Sequence, residues 1–418
     1  MAHIHLAWEL GGGLGHAGRL KPLAVELARR GHDVSLGLRD LVHTGKLLRD
    51  LPCLRLQAPV WLHNSVGVPK KPSSLAEILL GQGYLDADAL EGLVVGWRDL
   101  LRAVRADAVV ADYAPTAIAA SRILGIAAIA VGPGFWIPPA DRPLPNIRDW
   151  APIEEGRLEG SEAKVLGTAN EVLRRHGAAP LARVAQLFTG DRALLCAWPE
   201  TDHYGRLALP AGEHWYGPTY LPGGGAPPDW PEGSGPRVFA YVKDAWPEHP
   251  ALLEALARSG CRTLCYLPDV AAGKPAPVTH PSIRYARGPV DLARAFDDAS
   301  LCICHAGGAT MVQALLAGVP CLLLPMQNEQ FLLARRIERT GACVNAGARP
   351  RPVDYEALVA ELVAEGPARR AAHAFAQAHE GFAHDSQARD LCDAVEETLG
   401  TRTGPVPSAV RAGLVAPR

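Results

Sequence analysis

Twice in this chain a short apolar run stops on a glycine turn and passes straight into a helical pattern. The first is Ile4 to Trp8, followed by Gly11-Gly12-Gly13-Leu14-Gly15 and then by Leu20, Leu23, Ala24 and Leu27 at helical spacing, with Gly31 as the stop. The second is Leu301-Cys302-Ile303-Cys304, followed by His305-Ala306-Gly307-Gly308 and a helix from about Gly308 to Ala317. Apolar strands that alternate with helices build a parallel sheet covered on both faces. Around the first unit the pattern continues with strands at Val34 to Leu38, Ala108 to Ala111 and Ile126 to Val131, and a helix over Ala114 to Leu124. Around the second it restarts with strands at Arg237 to Tyr241, Cys261 to Tyr266 and Cys321 to Leu324, and a helix over Ala251 to Ala257. The sequence therefore predicts two doubly wound α/β domains in tandem.

The 418 residues allow two or three domains at roughly 150 residues each. Between the two repeats lies GPTYLPGGGAPPDWPEGSGP, whose Gly and Pro content opposes regular structure and suits a linker. We expect a first domain over residues 1–215, a linker over 216–236, a second domain over 237–383, a C-terminal helix over 384–400 and a flexible tail over 401–418. Lys and Arg number 42 against 44 Asp and Glu, so no basic field invites nucleic acid. No apolar run approaches 18 residues, which argues against stable membrane insertion, and the N-terminus lacks a secretory signal, which suggests a cytoplasmic location. The nine cysteines are odd in number and sit mostly in apolar runs, as reduced core thiols do. Cys302 and Cys304 beside His305 admit a metal site, but their alternation fits a buried strand better. Oligomeric state is not readable.

Two readings stay open for the first glycine loop. Gly13-Leu14-Gly15-His16-Ala17-Gly18 satisfies GxGxxG, and Asp40 lies 22 residues beyond Gly18, as in an NAD site where an acid takes a ribose hydroxyl. Against this, Gly11 and Gly12 lengthen the loop and His16 stands where the backbone must approach phosphate. In the other reading His16 itself faces the crevice at the strand's carboxyl end and serves as a general base. The second loop is small enough for backbone N–H groups and a helix N-terminus to approach an anion such as a diphosphate. Glu329 and Gln330 follow a further strand's carboxyl end; a plain βαβ unit with Glu329 favoured by the helix dipole is the bland alternative.

HAGGATMVQALLAGVPCLLLPMQNEQFLLARRIERTGACV, residues 305–344, and GGGLGHAGRLKPLAVELARRGHDV, residues 11–34, together resemble the family-1 nucleotide-sugar glycosyltransferases, including bacterial enzymes acting on small molecules. The resemblance implies the GT-B fold, two Rossmann-like doubly wound domains facing a central cleft, with the C-terminal helix crossing back to the first domain. It implies an inverting, metal-independent hexosyltransferase using a UDP- or dTDP-sugar as co-substrate and no other cofactor. His16 would be the base and Asp112 the acid that orients it. His305, Gly307, Gly308 and Thr310 would hold the donor diphosphate, and Glu329 and Gln330 the donor sugar.

Three positions depart from the family pattern. Gln313 replaces the common ribose-binding Glu. Lys243, in Tyr241-Val242-Lys243-Asp244, replaces a Ser or Thr loop and would act as a phosphate cation. Arg287-Gly288-Pro289 keeps the proline of the base-binding turn without the neighbouring Gln. Among first-domain aromatics, which also include Tyr84 and Trp150, we expect Trp61, Phe135 and Trp136 to line an apolar or aromatic acceptor site. The competing functions are an NAD-dependent oxidoreductase using GLGHAG and Asp40, a non-catalytic nucleotide-sugar-binding accessory protein, and a sugar epimerase of the same fold.

Overall fold

The computed structural model describes residues 1–221 and 223–402 and contains two six-stranded sheets, every pairing parallel. Of the tail expected over 401–418, Thr401 and Arg402 instead belong to the helix His384–Arg402, and 403–418 lie outside the described residues. The first sheet takes β1 (His3–Trp8), β2 (Asp33–Leu38), β3 (Leu54–Gln57), β4 (Ala108–Asp112), β5 (Ala127–Gly132) and β6 (Arg192–Leu195) in the order β3-β2-β1-β4-β5-β6. The second takes β7 (Arg237–Tyr241), β8 (Arg262–Tyr266), β9 (Ile283–Tyr285), β10 (Leu301–Cys304), β11 (Cys321–Leu323) and β12 (Cys343–Asn345) in the matching order β9-β8-β7-β10-β11-β12. Cys302 and Cys304 are fully packed strand residues of β10. Among the described residues no helix is long and apolar enough to cross a membrane.

In both sheets the winding direction reverses beside the first strand, between β1 and β4 and between β7 and β10. Crevices at the carboxyl ends of such neighbours are where open α/β sheets bind ligands. Register fixes what arrives there: Trp8 lies opposite Asp112, and Ile303 lies opposite Ala240. One face of the first sheet buries Ile4, Leu6 and Val110 against Leu20, Leu23 and Leu27 of the helix Gly15–Arg29. The other buries Val109 and Ala111 under Val94, Trp97 and Leu101 of the helix Ala87–Ala103. A fully buried Leu or Ile stabilises by about 1.5–3 kcal/mol, so the strands are held where the sheet needs them.

Some expected boundaries move. β2 ends at Leu38, and Asp40 instead caps the helix Leu41–Thr44, accepting from the His43 backbone N–H and facing the His43 ring at 2.6 Å. β8 starts at Arg262 rather than Cys261. The helix His384–Arg402 packs on Gly15–Arg29, burying Leu391, Cys392 and Val395 in the first sheet's core. Arg30 fastens it to Asp393 and Glu396, and Arg192 to Glu397. Gln387 of the same helix donates to the carbonyls of Tyr216 and Gly217 at 2.9 and 2.5 Å.

His5 in β1 is wholly buried, with Nδ1 on the Ser35 hydroxyl at 2.8 Å and Nε2 unpartnered. Burial, helped by His3, pushes its pKa down to about 3. The unfolded chain takes up this proton below about pH 6.5 while the folded one refuses it until about pH 3, so stability falls as pH drops through that window. His5→Gln removes the titration. Measured by denaturant melts, wild type should lose on the order of 2 kcal/mol relative to the variant between pH 6.5 and 4.5; a pH-independent difference would refute the account.

Candidate active site

His16 opens the first turn of the helix Gly15–Arg29, immediately beyond the glycine turn that leaves β1. Its ring is stacked between Trp8 and Trp136, with centroids 5.0 and 4.9 Å away, and its Nδ1 meets Asp112 Oδ1 at 3.1 Å. That bond makes Nδ1 the protonated nitrogen and turns the Nε2 lone pair toward Gly11. Gly11 has φ +75°, and a Cβ there would stand 2.6 Å from Nε2, so only glycine leaves that nitrogen open.

Asp112, the last residue of β4, is fully buried and carries a second partner that the sequence did not announce. Arg19 Nη1 donates to its Oδ2 at 2.7 Å, and the Arg19 guanidinium lies 5.0 Å from the Trp136 ring centre. The chain then turns sharply through Tyr113 at φ +51°, whose carbonyl accepts from Leu10 N–H and whose ring stacks on Trp136. Beneath the turn Glu9 accepts from both the backbone N–H and the hydroxyl of Thr116. It caps the helix Pro115–Leu124, and burial pushes its carboxyl up to about 7.

The second domain supplies the opposite wall. Ala306, at φ +55°, makes at the end of β10 the same left-handed bend that Tyr113 makes after β4. Gly307 and Gly308 then open the helix Gly308–Leu316 with empty space where their side chains would be, and Thr310 lies in its first turn. His305 has both ring nitrogens committed: Nδ1 donates to the Leu324 carbonyl at 2.7 Å and Nε2 accepts from Lys243 N–H at 2.9 Å. Burial lowers its pKa, so it is a neutral bracket. Both nitrogens of the ring, expected to help hold a diphosphate, are thus engaged by protein partners. The Lys243 side chain is exposed beside it, near enough to lower the His305 pKa further.

Gln313 is half-buried and donates to the Ala309 carbonyl one turn back. Arg287, Gly288 and Pro289 form the turn after β9, where the Pro289 carbonyl already accepts from Ala226 N–H of the linker. Gln330 Oε1 accepts from Met326 N–H, which leaves its amide N–H groups for other partners. Glu329, on the first turn of the helix Asn328–Ile337, has its pKa raised by burial and by Asp112 and lowered by His16 and Arg19. Glu329 and the cluster of His16, Arg19 and Asp112 thus share one field across the cleft.

That helix also clasps the first domain. Phe331 packs on Trp150 at 4.5 Å, Leu332 enters the first-domain core, and Asn328 donates to the Pro72 carbonyl. Arg335 and Arg336 both pair with Asp149, and Arg336 also donates to the His203 carbonyl. Of the expected acceptor aromatics, Trp136 touches His16, whereas Phe135 turns its ring edge toward His203 and Trp61 toward His63.

Residues 289–385 match the glycosyltransferase family 28 C-terminal domain. A PGL/p-HBAD biosynthesis glycosyltransferase of Mycobacterium tuberculosis is 25% identical over 343 residues, covering 77% of this chain and 78% of that protein. The crystal structure of the kitacinnamycin glycosyltransferase superposes with a TM-score of 0.68 at 17% identity, covering 95% and 98% of the two chains. Glycosyltransferase VinC in complex with dTDP gives 0.61 at 17% identity, covering 94% and 99%. The chain is a glycosyltransferase of the GT-B fold. The oxidoreductase reading built on Asp40 falls away, since that carboxylate is engaged in capping the helix Leu41–Thr44 and the relatives are glycosyltransferases.

Gly11→Ala should leave the fold in place at a cost of about 1 kcal/mol for the left-handed alanine while pressing its methyl onto His16 Nε2. We expect sugar transfer to fall at least about tenfold with the affinity for the nucleoside diphosphate unchanged in calorimetry. Unimpaired turnover would show that Nε2 does not need this opening.

Proposed function

We propose that the enzyme transfers a sugar from a UDP- or dTDP-sugar to a hydroxyl of a small apolar or aromatic acceptor, with inversion and without a divalent metal. The observation that carries this reading is His16 itself, oriented through Nδ1 by buried Asp112 and with its Nε2 kept clear by the missing side chain of Gly11. The acceptor O–H gives its proton to Nε2 as its oxygen attacks the anomeric carbon. The bond from that carbon to the diphosphate oxygen breaks on the opposite face, and its electron pair leaves with the nucleotide.

The leaving diphosphate is met by the N-terminus of Gly308–Leu316, whose fixed N–H groups need no reorganisation as charge develops, and by the exposed side chain of Lys243. His305 holds those two loops together rather than binding phosphate through its ring. Glu329 and Gln330 would take sugar hydroxyls, Gln313 the ribose and the 287–289 turn the base. Trp136 and Tyr113 give the acceptor an aromatic wall beside His16. The dTDP held by VinC supports a pyrimidine nucleotide donor.

His16→Ala should cut kcat by about 10²–10⁴ without lowering the melting temperature by more than a few degrees. UDP or dTDP, but not NAD, should raise that temperature, by about 2.7 kcal/mol of stabilisation at 100 times the dissociation constant. Full activity in His16→Ala removes the base assignment, and a product that retains the donor's anomeric configuration removes the single-displacement mechanism.

A further inference from the structure

Arg19 stands one helical turn after His16 and shares its carboxylate. Asp112 has no exposure to solvent, and its two oxygens are divided: Oδ1 faces His16 Nδ1 at 3.1 Å, Oδ2 takes Arg19 Nη1 at 2.7 Å. A buried carboxylate must be neutralised by a partner, because removing an ion from water without one costs several kcal/mol. Two groups on this wall can do so. If Arg19 does it, the Asp112–Arg19 pair is closed as a neutral unit and His16 need only lend a hydrogen bond. If Arg19 is missing, the balance falls to a proton held between Asp112 and His16, and to the extent that it resides on the ring the imidazolium has no lone pair with which to accept another.

We propose that Arg19 is a positioning residue that keeps His16 neutral, and therefore basic, by carrying the charge balance of Asp112. The inference rests on the reading of His16 as the base. Every other charged or titratable group near His16 works against neutrality or is silent. From its own helix comes Arg19, from β4 Asp112, and from across the cleft the helix Asn328–Ile337 brings Glu329, whose negative charge also favours the imidazolium. Tyr113 after β4 has its pKa pushed up by burial and stays uncharged, as does Cys196 beyond β6, which also feels Arg19 and Asp112. Trp8 and Trp136 close the two faces of the ring without charge. Arg19 is thus the cation opposing two carboxylates at this end of the cleft. Its guanidinium is also braced on the Trp136 ring that stacks His16, so charge and geometry are set by one packed unit.

The test is a direct titration of the His16 ring by NMR in the full-length chain, its signal identified by its loss in His16→Gln. In Arg19→Met the midpoint should rise by at least about one unit, as expected for losing a unit charge a few ångströms away in a partly buried site. Arg19→Lys, which keeps the charge, should stay near wild type. The acid limb of the transfer pH profile should move upward with the Met midpoint. An unchanged or lowered midpoint in Arg19→Met overturns the proposal. Should that variant not fold, Asp112→Asn with Arg19 in place serves: an unopposed guanidinium must lower the midpoint by about a unit or more, and a midpoint that stays put overturns the idea equally. Failure of the base reading is separate, since it would appear as activity surviving in His16→Ala while the NMR shifts remain.

Discussion

A single buried negative charge organises the switch point of the first domain. Asp112 can exist at the solvent-free end of β4 only because two donors from one helical turn reach it, and the need to bring those donors in dictates the surrounding chain. β1 must lie beside β4 in parallel register, so that Trp8 comes level with Asp112 and the next loop can fold back over it. The loop must contain glycine at position 11, since a larger residue would occupy the space of the imidazole. The backbone after Asp112 must turn at once, which Tyr113 does in a left-handed conformation steadied by the Leu10 hydrogen bond. A non-glycine residue held there costs on the order of 1–3 kcal/mol, which the packing of Tyr113 on Trp136 and the Leu10 hydrogen bond offset.

The second domain solves a different electrostatic problem with the same topology. Its switch point presents backbone N–H groups instead of a buried acid, and the ligand it suits is itself the anion. His305 occupies the place after β10 corresponding to the chain after Asp112, but its two nitrogens tie the end of β11 to the loop after β7. Removing this bracket would loosen two loops at once. On the proposed reading, one fold yields a proton acceptor on one side and an anion cradle on the other, differing in a few residues at equivalent strand ends.

The winding of both sheets was legible because β1 and β10 are apolar runs that stop on glycine turns, and because β4 and β7 are short apolar runs that helical patterns follow. Edge strands were less so: Leu54-Arg55-Leu56-Gln57 is short and half-exposed, and β9 and β12 have three residues each. His16 could be found from its loop, whereas Asp112 needed the family resemblance, since an acid at a strand end is ordinary. Arg19 was invisible. On a helix with polar neighbours it reads as a solvated arginine, and its role exists only once β4 is known to end beside β1. The commitment of His305 was hidden for a similar reason, its partner carbonyl lying 19 residues away at the end of another strand. The approach of Glu329 to His16 joins residues more than 300 positions apart in the chain, beyond the reach of any local pattern.

The return of the C-terminal helix to the first domain gives the two halves two covalent crossings, one near Gly217 and one just before His384. A body hung on one strand can swivel in any direction; a body hung on two adjacent strands can rock about the line joining them and little else. Gln387 stitches the crossings together by holding the Tyr216 and Gly217 carbonyls from the returning helix. The cleft can therefore widen only as the jaws of a tweezer do, and only by releasing the grip of Asn328–Ile337 on the first domain, while sideways sliding of the second-domain wall past His16 is resisted. Alignment of sugar and acceptor is then recovered at each closing without being searched for anew.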